Sequence, residues 1–216
     1  MIDDLSDKEQ IELFKKWWKQ YGLGILIAIV VGLSLGYGWR YWHQHQTQRN
    51  QQGSLMYMQL VGMKDPSTKQ GQALVTSLDE GYRATPYPSM AHLLLAKQAV
   101  DKKQFKVAIQ ELDWVQQHGT VETFNTLALI RKARILTALK QYDEALRTLS
   151  TVDDHSVKAQ VEIVRGDIYQ ARGERDRARR AYSSAQQALS TLGASDPILA
   201  MKLVQVGGDV VGKEDS

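Results

Sequence analysis

Residues 20–39 run without a single charge, and beyond them apolar positions recur every three or four residues in paired segments along most of the remaining chain. The first pattern belongs to a helix that is apolar all round, the second to amphipathic helices that bury one face. The pairs read as 89–100 with 104–118, 122–139 with 142–151, and 156–172 with 174–191. Glycine and proline mark the joints, at Asp65-Pro66, Thr85-Pro86-Tyr87-Pro88, His118-Gly119 and Asp196-Pro197. No run alternates as a strand would, so the predicted class is all-α. A weaker pair is expected over 53–64 and 68–82, and Asp196-Pro197 supplies the N-cap and first turn of a last helix from Ile198 to about Val206.

Aligning the pairs exposes a repeat. Small residues Ala96, Ala133 and Gly166 occupy the first helix of each pair, spaced by 37 and 33 residues. Twelve positions later stand Ala108, Ala145 and Ala178, and four beyond those Leu112, Leu149 and Tyr182. Two helices crossing closely need a small side chain where their axes meet and a large one in the next gap. The spacing brackets the 34 residues of a tetratricopeptide repeat, which predicts a tetratricopeptide-like α-solenoid with the last helix covering its exposed edge.

The charge-free run has the length to cross a bilayer as a helix, roughly 30 Å at 1.5 Å per residue. Tyr21 stands at one end, and Tyr37, Trp39, Tyr41 and Trp42 crowd the other as an interfacial belt that would meet membrane lipid. It is longer than a signal-peptide core and ends without a small-x-small cleavage site, so it reads as a single N-terminal transmembrane helix and uncleaved anchor. Lys8, Lys15, Lys16 and Lys19 precede it and only Arg40 and Arg49 follow closely, which places the N-terminus in the cytoplasm. The expected organisation is a cytoplasmic head over 1–19, a transmembrane anchor over 20–42, a helical domain on the far side over 43–206, and a flexible tail over 207–216. A capping box at Ser6-Asp7-Lys8-Glu9 opens the head, whose Ile11, Phe14, Trp17 and Trp18 form an apolar face. Gly24, Ala28, Gly32 and Gly36 form a stripe of small residues on which another helix could pack. The Gln-rich segment 43–52 contains neither glycine nor proline and should continue the helix.

The chemistry is sparse. No cysteine is present, which excludes disulfides, thiolate metal sites and thiol catalysis. Gly32-Leu33-Ser34-Leu35-Gly36 matches the nucleophile elbow of serine hydrolases, but it lies in the apolar helix with no acid or histidine beside it. There is no phosphate-cradling glycine loop and no metalloprotease motif, and the five histidines are scattered, His92 on a helix face and His118 and His155 near joints. Lys+Arg of 27 against Asp+Glu of 24 is too even for a nucleic-acid binder. Arg172, Arg175, Arg177, Arg179 and Arg180 are interleaved with acids and read as a salt-bridged surface. The chain is expected to be no enzyme, with no cofactor, no metal and no small-molecule substrate.

Solenoids of this kind bind on the face built from their first helices. The repeat register assigns to it Leu93, Lys97 and Val100, then Ile130, Arg134 and Thr137, then Ile163, Asp167 and Gln170. Apolar residues mixed with single charges suit a peptide or an unfolded segment.

The block Gly38-Trp39-Arg40-Tyr41-Trp42 closing the span, the Gln-rich exit, and the last repeat, Arg165-Gly166-Asp167-Ile168-Tyr169 with Gly173 and Ala178-Arg179-Arg180-Ala181-Tyr182, are similar to the YfgM family. The resemblance covers essentially the whole chain. It implies an ancillary subunit of the bacterial SecYEG translocon in the inner membrane, with its helical domain in the periplasm. It also implies association with the prolyl isomerase PpiD and help to unfolded exported proteins as they emerge. The residues themselves leave open a self-associating scaffold of another envelope assembly, or a regulator acting through its cytoplasmic head.

Overall fold

The computed structural model describes residues 7–207, excepting the side chains of 7–10, 12–14, 23, 25–29, 35, 38–39, 41–47 and 155. The capping-box Ser6 and the tail beyond Gly207 lie outside the described residues. Two compact units divide the chain, 1–52 and 53–216.

The first helix, α1 (Asp7–Val61), runs unbroken through the apolar stretch and the Gln-rich segment, as the absence of glycine and proline over 43–52 allows. The first helix of the weak pair is therefore its tail and not a separate element. Gly53 is admitted within it because a Cβ there would come within 2.8 Å of the Tyr87 ring. Among the described residues no helix is long and apolar enough to cross a membrane. The transmembrane crossing expected over 20–42 is thus the part of the fold that the structure does not supply; the side chains of 25–29 and those of Trp39, Tyr41 and Trp42 lie outside the description. Ser34 donates its hydroxyl to the Val30 carbonyl at 2.7 Å, so the apparent nucleophile elbow is plain helix.

The second unit consists of helices α2 (Lys69–Gly81), α3 (Tyr87–Asp101), α4 (Phe105–His118), α5 (Glu122–Ala138), α6 (Tyr142–Ser150), α7 (Lys158–Ala171), α8 (Arg175–Thr191) and α9 (Pro197–Gln205), following the tail of α1. Each lies within two or three residues of its expected place, and no strand occurs among the described residues. Antiparallel pairs α3–α4, α5–α6 and α7–α8 stack in sequence, and α9 closes against α8. Apolar clusters fill each interface in turn, so the core is a chain of local cores, as in other solenoids.

The three small and large positions behave as the repeat predicts. Ala96, Ala133, Ala108, Ala145, Ala178, Leu112, Leu149 and Tyr182 are all buried. A Cβ on Gly166 would lie closer than 3.0 Å to three atoms of the Tyr182 ring. Each pair also turns identically. Lys103, Lys140 and Gly173 take positive φ of 59°, 62° and 86°. The next amide in each turn donates five residues back, Gln104 to Ala99, Gln141 to Leu136 and Glu174 to Tyr169. This is the Schellman motif, present within each of the three pairs. At the far edge Asp196 caps α9 through the amides of Ile198 and Leu199, and Leu199 and Leu203 bury against Tyr182 and Ala185.

Candidate functional site

α3 and α5 are the first helices of consecutive units, and between them opens a hollow of about 320 Å³. Its apolar part is Ala96, Val100, Leu112 and Ile135, and its rim carries Lys97 and Asp101 from α3 with Arg131 and Arg134 from α5. Lys97 donates to Asp101 at 2.8 Å, one turn on, so its charge is matched within α3. The two arginines share a face at i, i+3, and neither has a carboxylate partner among the described residues. Burial lowers the pKa of Arg131, and the neighbouring Arg134 charge lowers it further.

Of the nine residues expected on the binding face, Lys97, Val100 and Arg134 line this hollow together. Leu93 and Ile130 do not reach the surface: they are 7% and 1% exposed and belong to the core clusters. Thr137 turns its hydroxyl to the Ala133 carbonyl at 2.7 Å. Ile163 packs beside the α8–α9 cluster. Asp167 is tied down by the Tyr182 hydroxyl at 2.7 Å and by Lys202 of α9, and Gln170 accepts from Tyr182 at 2.8 Å. Burial, with Asp167 beside it, pushes the Tyr182 phenol far up, so it stays a hydrogen-bond donor. Arg131 was absent from the expected face. The signal was in the sequence: α5 carries no acid within a turn of Arg131 or Arg134, whereas its Lys132 finds Asp113 of α4 at 2.6 Å.

His92 lies on α3, as expected, and the face that carries it is buried. Its Nδ1 lies 2.5 Å from Glu111 of α4 and its Nε2 3.3 Å from Asp79 of α2, with Trp114 stacked on the ring at 3.8 Å. Burial alone would lower its pKa, but the hydrogen bonds and charges of Asp79 and Glu111 outweigh burial and raise it. With both nitrogens engaged, the ring has none left to activate a nucleophile. It clamps three helices.

Around the turn into α8, Arg172 pairs with Asp143 and Glu174, Arg177 with Glu174, and Arg179 with Asp176, which accords with a solvated ion-paired surface. Among the described residues no three histidine, aspartate or glutamate side chains are grouped to hold a metal. In the first unit, Cβ positions built on Gly24, Gly32 and Gly36 meet nothing within 4 Å, which leaves that stripe open; the side chain of Ala28 lies outside the description.

A family model described as a tetratricopeptide repeat-like domain matches residues 15–208. An ancillary SecYEG translocon subunit of Haemophilus influenzae is 30% identical over 192 residues, 89% of this chain and 94% of that protein. The chain belongs to the family of ancillary SecYEG translocon subunits. Proteins of the same name from Escherichia coli K12 and Neisseria gonorrhoeae are 27% and 25% identical over 92% and 94% of this chain, and 95% and 98% of theirs. No solved structure matches. None of these names is that of an enzyme, and the near-complete coverage of both chains ties the family to the first helix as well as to the repeats.

Proposed function

We propose that this chain is a non-enzymatic, membrane-anchored ancillary subunit of the SecYEG translocon that, with PpiD, assists newly exported proteins in the periplasm. The carrying observation is the end-to-end match with relatives named as such subunits. The charge-free stretch 20–39 and the lysines before it support an inner-membrane anchor with the N-terminus in the cytoplasm. The open stripe of Gly24, Gly32 and Gly36, continued by Ala28, is the surface on which a translocon helix packs. The anchor confines the repeat domain beside the pore, so weak contacts suffice and release needs no nucleotide.

Site-specific photocrosslinking in intact cells tests both halves, with probes at Ala28 and Arg134. Adducts to the translocon from the first, and to PpiD or nascent exported chains from the second, are expected. Adducts only to the chain itself, or to division and wall-synthesis proteins, would replace this reading by a self-associating envelope scaffold. One observation favours that alternative: α9 leaves Ile198, Met201 and Val204 exposed along one face.

A further inference from the structure

The three repeat units place equivalent residues in very different circumstances. Lys97, Arg134 and Asp167 occupy one repeat position, each following the small residue of its unit. Lys97 is paired with Asp101, and Asp167 is held by Tyr182 and Lys202. Arg134 alone of these three lacks an opposite charge. Three residues earlier the equivalents are Leu94, Arg131 and Val164. Leu94 packs against a core cluster and Val164 is fully buried, so this is an apolar position in the other two units. The middle unit puts a half-buried arginine there, beside a second arginine and against an apolar hollow. Desolvating a cation next to another cation is unfavourable, and nothing within the described residues compensates it. A fold that needed only stability would keep the leucine or valine.

We infer that the hollow between α3 and α5 is a docking site for an extended acidic peptide segment, one apolar side chain entering between Val100, Leu112 and Ile135 while a flanking carboxylate bridges Arg131 and Arg134. The occupant follows from charge complementarity. A carboxylate neutralises both arginines, with the bidentate geometry that guanidinium favours. A hollow of about 320 Å³ takes one or two side chains and not a folded surface. Asp101, already satisfied by Lys97, leaves the arginine side of the rim positive. The inference rests on the reading of the domain as one that holds peptide segments, and gives that segment its chemistry.

The test is fluorescence anisotropy on the whole 216-residue chain in detergent micelles, with labelled ten-residue peptides. One alternates aspartate or glutamate with leucine and phenylalanine; the second carries asparagine and glutamine in place of the acids; the third carries lysines. The acidic peptide should bind at least tenfold tighter than its amide counterpart and weaken as salt rises. Arg131→Leu with Arg134→Gln should abolish that difference while leaving helix content intact, since leucine is what the first unit holds at the equivalent position. Equal binding of acidic and amide peptides, unchanged in the double variant, would overturn the docking site yet leave a peptide-holding domain. No binding of any peptide would overturn both. Binding of anionic lipid vesicles through the same arginines, in preference to the acidic peptide, would replace the peptide by a membrane surface and so overturn the inference too.

Discussion

Gly166 and Tyr182 form one contact that the other two units make with alanine and leucine, and exchanging the pairs should reveal it. In Gly166→Ala the helix gains about 1 kcal/mol of intrinsic propensity. Against that, the new methyl overlaps the Tyr182 ring, and overpacking costs about 1–3 kcal/mol. The ring has little room to retreat: it is fully buried, and its hydroxyl is held by Asp167 and Gln170, both on the helix that carries Gly166. The upper end of the range therefore applies, and the net loss should be about 2 kcal/mol. Tyr182→Leu alone leaves a gap over Gly166 and should lose a further 2–3 kcal/mol or so. The double variant recreates the Ala96–Leu112 and Ala133–Leu149 pairing, so it should be more stable than the sum of the singles by about 2 kcal/mol. Urea unfolding of residues 53–216, which contain every described core cluster, followed by far-ultraviolet circular dichroism, measures the cycle. An interaction energy below about 0.5 kcal/mol, the limit of ordinary additivity, would refute the idea that these residues are the crossing point of the repeat.

The remaining predictions concern turns, the histidine clamp and the closing helix. Lys103→Gly and Lys140→Gly should each stabilise by about 0.5–1 kcal/mol, because both lysines hold positive φ, whereas Gly173→Ala should cost about 1 kcal/mol; thermal melts of the three variants check the signs. His92 has a raised pKa in the folded protein, so its contribution is fully present below the unfolded value of 6.5 and is lost as pH rises through the folded one. Urea midpoints measured from pH 6 to 9 should therefore fall for the native chain more than for His92→Gln, and parallel profiles would show that the clamp carries no charge. Leu203→Ala, in the fully buried contact of α9, should cost about 3 kcal/mol and speed hydrogen exchange in α8 before α5. In cells, Gly32→Leu with Gly36→Leu should reduce co-purification with the translocon while the soluble unit stays folded, and undiminished recovery would remove the membrane stripe from the reading.

The repeat was legible because its determinants are local. Ala96, Ala108 and Leu112 sit at fixed offsets, and a solenoid buries its core between neighbours in sequence, so periodicity alone sets the helices. The same locality explains the exact recurrence of the Schellman turn at Lys103, Lys140 and Gly173, of which only the glycine announces itself. His92 was not legible. Its partners Asp79 and Glu111 lie 13 and 19 residues away on two other helices, and no spacing rule connects them.

The expected binding face mixes buried and surface positions. The first helices do not all present one open stripe through positions 93, 97 and 100, because Leu93 and its equivalent Ile130 are needed in the core. Solenoid helices pack on both sides, against their own partner and against the next unit, and that second contact consumes much of the face a single pair would leave open. What remains exposed is decided where a unit departs from its neighbours. Arg131 is such a departure on the rim of the hollow, with Leu94 and Val164 at its equivalents. Agreement between repeats reports the fold, because all units must solve the same packing problem. A charge at a position that is apolar in the other units answers no packing need, and so such a residue is where function should be sought first.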